Sequence, residues 1–385
     1  MTRPMSEGTS EGQTSDRPGS ALREMFMLDP EVCFLNHGSF GATPRVVFDV
    51  YQQWQRELER QPVEFLGRRL DDLLMQARVP LADFIGARPQ DLAFVQNATT
   101  GVNVVARSLR LEPDDEVLAT DLEYGACDLT WEHWCRRSGA RYVRKSLDLA
   151  DPVGSLFEAA GDHTRAVFVS HVTSSTALVL PVADICAEAH RRGLLAIVDG
   201  AHAPAQVPLD LGVLGADVYT GNFHKWLCAP KGSGFIWARQ DHHQWLESPI
   251  VSWGWEGGGD FVSRIEKQGT RDPAAYLATP AAIAFVRAQD EPERSHELAL
   301  EARRELAGLL GVEPAAPDER YVGRMAAVPL PAGVDGDALQ RRLYDEDRIE
   351  VPVASGWLRV SFAMYNERSD LDRLVTALRR ILASV

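Results

Sequence analysis

The chain has 385 residues, 45% of them hydrophobic and 25% charged, which is the composition of a folded globular protein and excludes a disordered or fibrous chain. Forty basic against 55 acidic side chains leave a formal charge of −15, which repels phosphate backbones and anionic lipid and so argues against nucleic acid or a membrane surface as partner. At roughly 100 to 200 residues per domain, the length suits two domains.

Residues 1–22 are rich in Ser, Gly, Thr, Glu and Pro, with little to bury, and are expected to form a disordered lead-in. They lack the hydrophobic segment of a signal peptide, and no apolar run in the chain reaches the ~20 residues that span a bilayer. Five cysteines without a CxxC pair read as free thiols of a reducing compartment, so a cytoplasmic location is expected, with no metal site. A segment over 23–45 ends in a Gly-rich, Pro-terminated turn, LNHGSFGATP. Pro44 suits the first turn of a helix, and Val47, Val50, Tyr51, Trp54 and Leu58 continue it at helical spacing to residue 60.

Short apolar runs then alternate with helical stretches: LAFVQ (92–96), EVLAT (116–120), RAVFVS (165–170), LLAIVD (194–199), DVYTG (217–221) and GFIWA (234–238). Continuous apolar strands separated by helices predict an α/β fold with a mostly parallel sheet covered on both faces, here assigned to a large domain over 46–288. Beyond it, the Arg- and Glu-rich stretch near 290–305, a strand near 324–330, a helix over 336–346, the run WLRVSFAMY and a closing helix over 368–383 predict a smaller α+β C-terminal domain over 289–385. The run GWEGGGD at 254–260 reads as a loop at a site entrance or as a structural turn, and the adjacent His242 and His243 as a solvated loop.

In an open α/β sheet, ligands bind at the carboxyl ends of the strands, so polar residues that follow apolar runs are the candidates. Asp199 ends a strand and precedes Gly200, Ala201 and His202. A carboxylate there needs a cationic partner or strong hydrogen bonds, unless it is merely a helix N-cap. Lys225 follows the next strand but one turn, among Asn222, His224 and Trp226. The chain has four lysines, Lys145, Lys225, Lys231 and Lys267, and Lys145 sits in a charged run, so Lys225 is the best amine nucleophile. Thr99 and Thr100 open a helix after LAFVQN, a place for a phosphate or an ordinary cap. Arg359 lies among apolar residues on a strand, suited to reading a carboxylate or to a structural ion pair. A phosphate site, a strand-end Asp, a lysine and an arginine together meet the needs of pyridoxal 5'-phosphate acting on an amino acid.

LNHGSFGATP, QNATTGVN, SHVTSSTALVLPV, VDGAHAPAQ, GNFHKW and RVSFAMYNE resemble motifs of the class V aminotransferase family of fold-type I pyridoxal phosphate enzymes, nearest to its isopenicillin N epimerase-like branch. The resemblance implies the fold-type I transferase fold. It implies that Lys225 forms the Schiff base, Asp199 pairs with the pyridine nitrogen and His202 lies near the phenolic oxygen. Thr99, Thr100, Asn222 and His224 would hold the phosphate, Tyr124 would stack on the ring and Ser174 would lie above it. Arg359, Asn36 and His37 would bind an amino-acid-like substrate. Family members are dimers, so a homodimer is implied in which Thr270 of KQGTRDPAAY reaches the partner's phosphate. The implied reaction is epimerisation at Cα, with C–S β-elimination and transamination as alternatives and a non-catalytic binding protein as the remaining one. Related desulfurases carry a nucleophilic cysteine on the loop before the arginine, and RIEVPVASGW contains none.

Overall fold

The computed structural model describes residues 18–383. Residues 1–17 of the expected lead-in lie outside the described residues, but its end is ordered, since Pro18–Glu24 form a helix. Arg23 in its last turn donates to the carbonyls of Asp29 and Val32, which ties that helix to the N-terminal segment.

A two-residue strand, β1 (Cys33–Phe34), precedes the helix Arg45–Arg60. The main sheet is built from β2 (Leu92–Val95), β3 (Glu116–Thr120), β4 (Arg141–Lys145), β5 (Thr164–Ser170), β6 (Leu195–Gly200), β7 (Val218–Asn222) and β8 (Gly234–Ala238). Their order is β2-β8-β7-β6-β5-β3-β4, and every neighbour pairing is parallel except the two made by β8. Buried apolar residues on both faces, covered by helices, account for the unbroken hydrophobic runs of β5, β6 and β8. Strand β4, RYVRK, was not foreseen because its outer edge is charged: Arg141 pairs with Glu116 at 2.6 Å and Lys145 with Glu158 at 3.0 Å. Charged side chains on an edge strand block further strand addition, and they hide the strand from a search for apolar runs.

The C-terminal part holds β9 (Met325–Pro329), β10 (Ile349–Glu350), β11 (Val353–Ala354) and β12 (Trp357–Ser361), with β11-β12-β9 antiparallel. The expected division at 288/289 falls at the end of the helix Thr279–Gln289, just before the helix Pro292–Leu310. The N-terminal segment bridges the two parts. Strand β1 pairs with β10, Ser361 N donates to Leu35 O at 2.9 Å, and Phe26 packs edge-on against both Phe285 and Tyr365.

His242 and His243 are not in a solvated loop. His242 Nε2 meets Asp217 Oδ1 at 3.1 Å, while His243 lies 3.0 Å from Ala238 O and stacks on Phe261. Arg324, just before β9, is buried. Its Nη1 contacts Asp290 Oδ2 at 2.7 Å, its N–H reaches Gln206 Oε1 at 3.3 Å, and its guanidinium lies 6.0 Å from the Trp226 ring.

Removing one partner of a buried pair leaves the other charge uncompensated. Asp290→Ala should therefore lower stability by about 3–5 kcal/mol in urea unfolding. Arg287→Ala, which breaks the exposed pair with Asp83, should cost at most about 1 kcal/mol in the same assay.

Candidate active site

The carboxyl ends of β2, β5, β6 and β7 converge on a cavity of about 330 Å³. It is lined by Thr99, Tyr124, Ser170, Ser174, Asp199, His202, Asn222, His224, Lys225 and Arg359, together with Gly38, Ser39 and Phe40. Its size is at the small end of ligand cavities, roughly 300–1,000 Å³.

Strand β6 delivers Asp199 opposite Ser170 on β5 and Thr220 on β7. The carboxylate is buried, accepting from Ala201 N at 2.9 Å and from the Cys127 thiol at 3.4 Å. Burial raises its pKa, against the pull of the Ala201 N–H and of Lys225. No ion pair neutralises it among the described residues, so one oxygen face is available to a cationic N–H.

Lys225 follows β7 by three residues, and burial lowers its pKa to about 8, helped by the charge on Arg359 and opposed by Asp199. Its Nζ lies 3.0 Å from His202 Nε2, and Trp226 Nε1 points at His202 Nδ1 from 3.5 Å. Indole N–H can only donate, so when Lys225 is neutral the single imidazole hydrogen sits on Nε2, aimed at the amine lone pair. Burial and the nearby Lys225 charge hold His202 neutral. The backbone here needs Gly41, at φ +67°, because a Cβ there would lie 1.9 Å from the His224 carbonyl oxygen.

The helix Ala98–Ser108 points its N-terminus into the cavity. Asn97 caps it by accepting from Thr100 N at 2.8 Å, and Asn222 Oδ1 accepts from Ala98 N at 2.8 Å. The Thr99 hydroxyl and N–H are the groups left for an anion, with the positive end of the helix dipole behind them. Thr100 does not line the cavity, because its hydroxyl also turns to Asn97, at 3.1 Å. His224 adds a half-buried imidazole, its pKa lowered to about 4 by desolvation, whose Nδ1 lies 3.1 Å from Ser233 O.

Arg359 on β12 closes the cavity from the smaller domain. It is 5% exposed, with Nη1 2.5 Å from Ser174 O, Nη2 2.8 Å from Ser39 Oγ and Nε without a partner among the described residues. Burial pulls its pKa down to about 10. A desolvated guanidinium with neutral acceptors and no carboxylate is equipped to receive one.

Asn36 and His37, expected at the substrate, do not line the cavity. Asn36 donates to Glu350 Oε1 at 3.2 Å, and the His37 ring lies between Tyr365 Oη at 2.8 Å and Lys225 O at 3.0 Å. Its Nε2 holds the lysine's backbone carbonyl while its Nδ1 is engaged by Tyr365, and the residues that reach the cavity are the next three, Gly38, Ser39 and Phe40. Thr270 lines a different cavity of about 920 Å³ with Trp253, and the 254–260 turn belongs beside that one. Sequence reading missed Ser39, Ser170, Cys127 and Glu123. Glu123 stands just after β3, so its position at a strand end was a usable signal.

A model of the family described as aminotransferase class-V matches residues 41–374. The chain is 41% identical to isopenicillin N epimerase of Amycolatopsis lactamdurans, with 93% of this chain and 97% of that one covered. It is 28% identical to a probable chloroplastic L-cysteine desulfhydrase of Arabidopsis thaliana, with 92% and 84% covered. In fold it is similar to the cysteine desulfurase CsdA of Escherichia coli, with TM-score 0.79, 23% identity and coverage of 95% and 99%. The cystine C–S lyase C-DES in complex with cysteine persulfide gives TM-score 0.82 at 23% identity, with 91% and 98% covered.

The neutral amine is the form that attacks an aldehyde, so capture of pyridoxal 5'-phosphate by Lys225 should quicken as pH rises to about 8 and level off above it. Trapping with borohydride at a series of pH values measures this. Lys225→Ala should leave no borohydride-stable link, and Arg359→Met, which removes a nearby positive charge, should move the midpoint to higher pH.

Proposed function

The chain belongs to the class V aminotransferase family, and from that premise we propose that it is a pyridoxal phosphate enzyme that epimerises an amino acid or aminoacyl compound at Cα. The observation that carries the reading is the buried Arg359 guanidinium, which faces the same cavity as Lys225 and has no carboxylate of its own.

The donor set fits this cofactor. Asp199 is a buried carboxylate awaiting a cationic N–H, and the Thr99 end of the helix, Asn222 and His224 suit a phosphate. Bound pyridoxal phosphate supplies an electron sink for the pair released when a bond at Cα breaks. Asp199 would hold a proton on the pyridine nitrogen and so keep the sink effective. Lys225, whose pKa burial lowers to about 8, would take or return the proton on one face of Cα, with His202 Nε2 beside its amine, and inversion requires the proton to be exchanged on the opposite face by a second group. Tyr124, half exposed at the cavity rim, would cover one face of the bound ring. Arg359 fixes the substrate by a carboxylate, and Ser39 and the Ser174 carbonyl aim its two outer nitrogens.

A homodimer in a cytoplasmic setting, with Thr270 completing the partner's phosphate site, belongs to the same proposal. The ~40% identity to isopenicillin N epimerases supports epimerisation, and the likeness to L-cysteine desulfhydrases at 28% supports β-elimination as the second reading. None of the five cysteines lines the cavity, so no thiol is available to take sulfur from a substrate.

Incubation with candidate amino acids and aminoacyl peptides in heavy water decides between the two. Epimerisation exchanges the Cα hydrogen and inverts the centre, whereas β-elimination releases pyruvate and sulfide. Arg359→Ala should lower kcat/KM roughly 30- to 5000-fold, from a bidentate pair contributing on the order of 2 to 5 kcal/mol, while cofactor absorbance stays. Arg359→Lys should restore little, because an ammonium lacks the planar fork. Full activity with a lower melting temperature in Arg359→Ala would make it a structural residue and remove the carboxylate receptor.

A further inference from the structure

Behind Asp199 lies a second buried carboxyl. Glu123 is 8% exposed, with Oε1 2.5 Å from Thr120 Oγ1 and Oε2 2.6 Å from Ser170 Oγ. The titratable groups around it are Asp199 on β6, Asp128 and Cys127 on the helix Gly125–Ser138, and Tyr142 on β4. All are acids, and no cation pairs with Glu123 among the described residues. An isolated carboxylate in such surroundings gives up its charge by keeping its proton. Burial, opposed by the two hydroxyls and reinforced by Asp199, raises its pKa to about 8.

The hydrogen bonds say where that proton sits. Thr120 is fully buried, and Glu123 Oε1 is the one acceptor for its hydroxyl among the described residues, so its hydrogen is directed there while Oγ1 accepts from Leu122 N at 3.1 Å. The acid proton then belongs on Oε2, facing Ser170. Ser170 Oγ makes no other hydrogen bond among the described residues, and Ser170 lines the cavity in register with Asp199. If Ser170 accepts from Glu123, its own hydrogen is released to point into the cavity. If Glu123 ionises, both hydroxyls turn to donate to it and the cavity loses a donor.

We propose that Glu123 is a positioning residue which, as a neutral acid, donates to Ser170 and so aims the Ser170 hydroxyl hydrogen into the cavity beside Asp199. A neutral Glu123 also leaves Asp199, among the described residues, as the one carboxylate lining that end of the cavity. The inference rests on the cofactor reading for what the hydroxyl serves, but not for where the proton lies.

Two measurements on the full-length protein test it. Infrared difference spectra should give a protonated-carboxyl band at pH 7 that fades toward pH 9, is absent in Glu123→Gln and is shifted in Ser170→Ala. Absence of a band removable by E123Q, or a band that Ser170→Ala leaves unmoved, overturns the proposal. Gln can donate to Ser170 and accept from Thr120 at any pH, so it mimics the neutral acid. The affinity of E123Q for pyridoxal 5'-phosphate, relative to wild type, should be near one at pH 7 and severalfold higher at pH 9, since Lys225 titrates equally in both. A ratio that does not change with pH overturns the aiming of Ser170. Failure of both proteins to bind the cofactor at all would defeat the cofactor reading, while the infrared arm would still decide where the proton lies.

Discussion

The structure turns on keeping a bare guanidinium out of water. Withdrawing a cation from solvent costs several kcal/mol, and Arg359 recovers part of that only from a carbonyl at Ser174 and a hydroxyl at Ser39. Those two acceptors come from the loop after β5 and from the N-terminal segment, while the arginine itself is on β12. Three remote stretches of chain must therefore meet to solvate one side chain. The N-terminal segment is correspondingly well held: Gly38 N donates to Ser361 Oγ at 3.0 Å, Ser39 Oγ to Asn36 Oδ1 at 2.5 Å, and Asn36 to Glu350. A carboxylate bound beside Arg359 would add a charged acceptor to these two neutral ones.

The imidazoles around the site follow the same rule of burial. His37, His171 and His224 have pKa values lowered to about 3, 4 and 4, so each is a fixed dipole and not a charge at neutral pH. Each is oriented by a hydrogen bond: His37 to Tyr365, His171 to Tyr219, and His224 to the Ser233 carbonyl. Protonation chemistry is thereby confined to few groups, since the remaining histidine at the lysine, His202, is held neutral as well.

How much was legible in the sequence follows from what each residue contributes alone. The strands β2, β3, β5, β6, β7 and β8 are apolar runs, and Asp199 and Lys225 stand out because a polar residue after such a run has few structural uses. β4 was invisible because its stabilisation comes from edge ion pairs and parallel pairing with β3, neither of which leaves a hydrophobic pattern. Asn36 and His37 lie outside the cavity although the next three residues line it, because the motif holds both a residue that grips the Lys225 backbone, His37, and those that reach the cavity. Only the path of the chain past Lys225 separates the two groups. Glu123 was overlooked because a lone Glu after a strand looks solvated, and its burial depends on hydroxyls 3 and 47 residues away.

All five cysteines are free and buried, and burial raises every one of their pKa values. A thiol that is neither exposed nor ionised reacts with an alkylating reagent only when its surroundings open. The five are spread over distinct regions: Cys33 under the N-terminal segment, Cys127 behind Asp199, Cys135 at the end of the same helix, Cys186 on the helix Val182–Arg191 and Cys228 just past Lys225. The chain thus carries a built-in set of opening reporters, whose modification rates rank the local breathing of the N-terminal segment against that of the lysine turn without any engineered label.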